Sequence, residues 1–124
     1  MTITTTPKLF DAVTVDRSVF RKLLPDARWF AYGSGWVNPG DANTATVELC
    51  YEKDDGTIVV LGSVTQAGAG LVKKQLGPFD VFATAGVPAG ETIPSLRLRG
   101  AKTAGANGDL ANWTVWLRLL PSRG

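Results

Sequence analysis

The stretch Asn112-Trp113-Thr114-Val115-Trp116-Leu117-Arg118-Leu119-Leu120-Pro121 constrains the fold more than any other part of the chain. Strand side chains alternate with a period of two, so Trp113, Val115, Leu117 and Leu119 fall on one face and Thr114, Trp116, Arg118 and Leu120 on the other. As a helix the same residues spread apolar side chains all round, and two Trp, a Val and a Thr crowd the preceding turn. Pro121 has no N–H to give to a ladder and ends the pairing. The stretch predicts a central strand of an antiparallel sheet, with most of the chain as its partners.

The rest of the chain is punctuated to match. Fourteen Gly and seven Pro separate short runs rich in Val, Thr and aromatic residues, which favours a sandwich or barrel over an α/β fold. The 124 residues make one domain that can bury a core without disulfide staples. The formal charge of +2 is held by residues 1–28, where five Lys/Arg meet three Asp, while residues 29–124 hold eight of each sign. A nucleic-acid binder needs a dense basic stripe instead, so nucleic acid is not the expected partner.

Several chemistries are excluded outright. Cys50 is the sole cysteine and there is no histidine, so no intrachain disulfide, CxxC pair, Cys/His metal site or His-containing triad can form. Met1 to Pro7 lacks the basic start and apolar stretch of a secretory leader, and no apolar run has the length of a membrane span. The expectation is a protein made in a host cytoplasm, with no membrane partner.

Along the chain, residues 1–8 are Thr-rich and extended, reading as a frayed tail or as an arm that pairs along a neighbouring subunit. Leu9 to Val15 reads as a strand, and Asp16 to Leu24 as a short edge strand or a helix capped by Asp16. Trp29, Phe30, Tyr32 and Trp36 lie in an aromatic strand ended by the turn Asn38-Pro39-Gly40-Asp41. Thr44 to Tyr51 alternates, with Ala45, Val47, Leu49 and Tyr51 inward. Asp55-Gly56 turns it back into Thr57 to Val64. Leu71 to Leu76 reads as a short strand or connector, and Gly77-Pro78 as a turn into another strand, Phe79 to Ala83. Ser95 to Arg99 is a strand with Leu96 and Leu98 on one face and Arg97 and Arg99 on the other. Gly100 to Ala111 reads as a long loop.

Paired carboxyl groups for glycoside hydrolysis, set roughly 5 to 10 Å apart, would come from Glu48, Glu52, Asp54, Asp55, Asp80 or Glu91. No pair stands out, and Asp54 and Asp55 serve a turn. Ser34, in Gly33-Ser34-Gly35, is not in a nucleophile elbow, and Cys50 has no basic neighbour in sequence to activate it. Calcium could take loop oxygens around Asn38, Asp41 and Asn43 or around Asn107 and Asp109, though turn chemistry accounts for both clusters. Arg97, Arg99, Arg118 and Trp116 share one face if the last two strands are neighbours, forming either a solvated surface or an interface. Tyr32, Trp36 and Asn38 are candidates for sugar stacking, although large rings in so small a domain are expected mostly in the core.

An aromatic strand, an Asn-Pro-Gly turn, an alternating hairpin, Gly77-Pro78-Phe79-Asp80-Val81, Leu96-Arg97-Leu98-Arg99-Gly100, a Gly/Asn loop and a closing Trp-Thr-Val-Trp-Leu strand follow in order. Over residues 27–120 this order resembles the jelly-roll sandwich of carbohydrate-binding modules and galactose-binding-like domains, which recurs in accessory virion proteins of tailed bacteriophages. The resemblance implies an all-β, antiparallel jelly-roll sandwich of about eight strands, with residues 1–8 as an extended arm and 9–124 as a single domain. It implies a non-enzymatic virion protein without cofactor or metal, decorating a capsid as a homo-oligomer bound to a major capsid protein. The contact residues expected are Ile3, Phe10, Arg97, Arg99, Trp116 and Arg118. The alternative is a carbohydrate-binding module or receptor-binding fibre tip that holds glycan with Tyr32, Trp36 and Asn38.

Overall fold

A computed structural model describes residues 1–11, 27–52, 56–80 and 95–121. Eight strands follow in order: β1 (Thr2–Ile3), β2 (Lys8–Asp11), β3 (Ala27–Asn38), β4 (Ala45–Glu52), β5 (Ile58–Gln66), β6 (Val72–Asp80), β7 (Ser95–Lys102) and β8 (Gly108–Pro121). They form two four-stranded antiparallel sheets, β1-β8-β3-β6 and β2-β7-β4-β5. The pairings are nested: β4 with β5, β3 with β6, β2 with β7 and β1 with β8. This is a long hairpin rolled up on itself, the jelly-roll double Greek key, so the expected fold class holds. The expected features at Asp16–Leu24, Asp54–Asp55 and Glu91 lie outside the described residues.

Alternation builds the core. Ala45, Val47, Leu49 and Tyr51 of β4 point inward, as do Leu96 and Leu98 of β7, and all are at most 2% exposed. From the facing sheet come Ile3, Ala31, Val37, Leu76, Leu110 and Val115, with Trp113, Phe79 and Phe10 packed against them. Both sheets make room for rings by placing glycine beneath them. A Cβ on Gly35 would lie 2.4 Å from the Trp113 indole, and one on Gly62 would strike the Phe79 ring.

Three local readings are corrected. Gly77-Pro78 is not a turn, because β6 runs unbroken through both residues from Val72 to Asp80. The register against β3 shifts at this point, between Ala31 and Gly33, so the Gly-Pro pair serves an irregular step in a ladder. The long loop at Gly100–Ala111 shrinks to residues 103–107, since β7 extends to Lys102 and β8 starts at Gly108. Finally, residues 1–4 are not a free arm within this fold. Thr2 and Ile3 pair with Asp109 and Gly108, and the Met1 and Leu110 main chains exchange two hydrogen bonds of 2.8 Å. Lys102 N–H donates to Thr4 O at 2.7 Å.

β8 carries a phase shift of its own. Leu110 is buried, and so is Val115, although they differ by an odd number of positions. The register against β3 shifts between Ser34 and Trp36, opposite Asn112, whose φ is +54°. Asn tolerates the left-handed region better than other non-glycine residues. The bulge keeps Leu110 and Trp113 on the same side.

Candidate interaction surface

The two sheets present different outer faces. On β3 the inward positions are Ala31, Gly33, Gly35 and Val37, while Phe30, Tyr32, Ser34 and Trp36 alternate outward and are half-buried. The expectation that most rings of this strand fill the core is therefore corrected for Phe30 and Tyr32. Trp113 of the neighbouring strand occupies the inner space over Gly33 and Gly35, with its indole N–H donating to Trp36 O at 3.0 Å. Tyr32 and Trp116 are direct cross-strand partners. Their rings stack with centroids 5.4 Å apart and planes 2° from parallel, within the range of favourable offset stacking. Trp116 remains 37% exposed. Thr114 lies on the same face, and so, through their register with Ser34 and Trp36, do Gln75 and Lys73 of β6.

The outer face of β2-β7-β4-β5 is closed by charge pairing. Arg99 Nε donates to Glu48 Oε1 at 2.7 Å, and an Arg97 guanidinium nitrogen to Glu52 Oε1 at 3.1 Å. Arg97 Nε also donates to Phe10 O at 3.3 Å. These are cross-strand ion pairs on a half-exposed surface, where each is worth about 0.2–1 kcal/mol. They also occupy two of the carboxylates that could have served as acid or base. Cys50 sits between them, wholly buried, although its phase is outward. Burial pushes its thiol up to about 11, outweighing the lowering influence of Arg99. An uncharged thiol without solvent access does not attack disulfide reagents. Native protein at pH 8 is expected to leave a thiol-specific disulfide dye unreacted over hours and to react with one equivalent once unfolded. Fast labelling of the folded chain would contradict this environment.

The expected contact residues are thus dispersed. Arg97 and Arg99 do not share a face with Trp116 and Arg118, because β7 and β8 belong to different sheets. The short 103–107 connection crosses between layers instead of making a hairpin. Ile3 is fully buried, and Phe10 packs against the core while its ring receives the Lys8 ammonium at 5.5 Å. Ile3 therefore serves the interior, whereas Phe10 is only partly buried. Trp116 is exposed, and Arg118 is at the position of β8 paired with Phe30. Of the sugar candidates, Tyr32 and Trp36 share the outer face, but one face of Tyr32 is covered by Trp116. The Asn38 side-chain oxygen accepts the N–H groups of Gly40 at 2.9 Å and Gly70 at 3.1 Å, so it is spent on joining two loops.

Asp41 and Asn43 do come together, but the cation beside them is Lys102. Its side chain is fully buried, and its ammonium donates to Pro39 O and to Asp41 Oδ1, the latter at 2.5 Å. Asp41 also accepts from Asn43 N–H at 2.9 Å and Ala106 N–H at 2.7 Å. The Lys102 bond, followed by these two main-chain donors, holds the Asp41 carboxyl well below the usual carboxylate range. Among the described residues no three His, Cys, Asp or Glu side chains gather as a metal site. Lys102 was legible by phase, falling in step with Leu96, Leu98 and Gly100, but its charge argues for solvent until the Asp41 loop is seen above it.

No protein-family model matches the sequence, and no curated protein does. Among the described residues no helix is long and apolar enough to cross a membrane. Among solved structures, the chain is similar to a part of the structure of the Gx strain of infectious bursal disease virus. The identity is 17% and the TM-score 0.33, covering 96% of this chain and 27% of that one. For the subviral particle of the same virus the identity is 20% and the TM-score 0.31, covering 96% and 26%. This chain therefore spans about a quarter of the length of those chains. At such TM-scores the likeness carries no weight of its own, and the jelly-roll assignment rests on the nested strand pairing.

Proposed function

We propose that this chain is a non-enzymatic structural protein of a virus particle, an accessory subunit that decorates the capsid of a tailed bacteriophage. Its partners would be copies of itself and a major capsid protein, and its action passive: apolar surface removed from water at the contact stabilises the assembled shell. The observation that carries this reading is the asymmetry of the two sheets. One outer face is neutralised by the Arg99–Glu48 and Arg97–Glu52 pairs, whereas the other presents the Tyr32–Trp116 stack beside Trp36. Trp and Tyr rings that a sheet presents on its outer face are among the residues that dominate protein interfaces.

The test is cosedimentation with empty shells of the major capsid protein encoded in the same genome. Wild-type protein is expected to bind. Trp116→Ala and Tyr32→Ala are each expected to weaken binding at least about tenfold, the size of a modest hot spot, with little change in far-ultraviolet circular dichroism. Unaltered binding by both variants would remove the aromatic face from the contact. Failure to bind any shell, with binding on a glycan array lost in Trp36→Ala, would instead favour the receptor-binding reading.

A further inference from the structure

We propose that β8 is the seam of a two-fold dimer, in which the β8 edges of two copies pair antiparallel about Trp116 and join two four-stranded sheets into one. This rests on the structural reading above and names its first partner, a second copy of this chain. Among the described residues, β1 covers only the Gly108–Leu110 end of β8, and the edge from Ala111 to Pro121 has no further strand beside it. A row of unpaired main-chain donors and acceptors is a template for strand addition.

The other three sheet edges carry the features that discourage such pairing. β6 has Lys73, Lys74 and Pro78, and among the described residues β2 is the four-residue strand Lys8–Asp11. β5 is interrupted by a register shift where Gly62 and Val60 face Leu49 and Cys50. Charges, proline, shortness and bulges are the usual protections of an edge. β8 beyond its Asn112 bulge pairs with β3 in unbroken register from Thr114 to Pro121 and has Arg118 as its single charge.

The bare stretch also chooses its occupant. Its midpoint is Trp116, so an antiparallel two-fold pairing that fills it from end to end sets Trp116 opposite its own copy. Thr114 then falls opposite Arg118, with no like charges opposed, and the Asn112 bulge and Pro121 lie towards the two ends of the seam, outside its central pairs. Pro121 stops the pairing where Met1 of the other copy begins to cover Leu110. Trp116, stacked on Tyr32 on one side, gains an aromatic neighbour on its exposed side, and cross-strand aromatic pairs are among the favourable ones.

Sedimentation equilibrium and disulfide trapping on the full chain test this. Wild-type protein is expected to be a monomer–dimer equilibrium. Trp116→Arg, which opposes two cations at the axis, is expected to raise the dissociation constant at least about tenfold while the strand signal in circular dichroism is kept. The variant Thr114→Cys/Arg118→Cys keeps Trp116 and is expected to give a covalent dimer on mild oxidation, whereas Ser63→Cys on the β5 edge is not. The buried native Cys50 does not interfere. A wild-type chain that stays monomeric at every concentration, or cross-linking through Ser63→Cys instead, would overturn the seam. Monomeric protein that still binds shells through Trp116 would overturn the seam alone, leaving the capsid reading in place. Dimers that bind no shell would do the reverse.

Discussion

Replacing Asp41 by Ala is expected to lower the thermal unfolding midpoint more than replacing Lys102 by Met, even though Lys102 is the more deeply buried partner. The reason is asymmetry of what is left behind. Without Asp41, the Lys102 ammonium keeps only the Pro39 carbonyl inside a side-chain environment with no solvent exposure. A buried charge stripped of its counter-ion costs a fold about 3–5 kcal/mol. Without the Lys102 charge, Asp41 still accepts the Asn43 and Ala106 N–H groups and is partly solvated, and methionine refills the volume of the lysine stem. The double variant Asp41→Ala/Lys102→Met is therefore expected to be more stable than Asp41→Ala alone. If Asp41→Ala is the mildest of the three, the ammonium is not held as the geometry indicates.

The same pair sets an acid limit. Asp41 has its carboxyl depressed in the fold, mainly by Lys102. Its contribution is then fully present above the ordinary carboxylate pKa of 3.8 and is lost progressively as pH falls below it towards the folded value. The unfolding midpoint of wild-type protein should drop steeply between about pH 4 and pH 2. In Lys102→Met the folded and unfolded pKa values of Asp41 lie closer together, so that variant should show a shallower slope over the same window. Equal slopes would place the acid sensitivity in other carboxylates.

The fold was legible where alternation is regular and became illegible where a bulge or a layer change intervenes. β4 and β7 read correctly because Ala45-Thr46-Val47-Glu48-Leu49 and Leu96-Arg97-Leu98-Arg99 repeat with a strict period of two. The faces of β8 also read correctly at Trp113–Trp116, but no composition signal marks the bulge at Asn112 that brings Leu110 into the same core. The condition for Arg97 and Arg118 to share a face, that the last two strands be neighbours, is not met, because residues 103–107 are as short as a hairpin loop yet cross between sheets. Sequence distance cannot separate those two connections; only the nested pairing does. The aromatic strand β3 was misread for a related reason. Its large rings look like core until the Gly33 and Gly35 positions between them are seen to be seats for a ring from another strand, Trp113. The Thr-rich start was correctly read as extended, yet nothing in Met1–Thr4 distinguishes pairing with its own β8 from pairing with a neighbour.

Gly35→Ala and Gly33→Ala, two positions apart on one strand face, are expected to differ in sign. At Gly33 the nearest atom to an added Cβ is Trp113 Cζ3 at 3.6 Å, an ordinary contact, and the backbone there is not left-handed. Alanine also loses less conformational freedom than glycine on folding, so this variant should be neutral or slightly stabilising. At Gly35 the added Cβ would lie 2.4 Å from the indole Cγ and Cδ2 of Trp113, closer than real carbon contacts allow. The ring cannot simply slide, because its N–H is tied to Trp36 O at 3.0 Å and its other face packs on the core. Overpacking of this kind costs about 1–3 kcal/mol, with the lost indole hydrogen bond at the upper end. Trp113→Phe should be destabilising alone, but in the Gly35→Ala background it should cost less than in wild type, since the smaller ring vacates the space the methyl needs. A double-mutant cycle by chemical denaturation measures that coupling, expected at about 0.5–3 kcal/mol for residues in contact. Additive effects, or a Gly33→Ala loss as large as that at Gly35, would mean that the indole does not rest on Gly35.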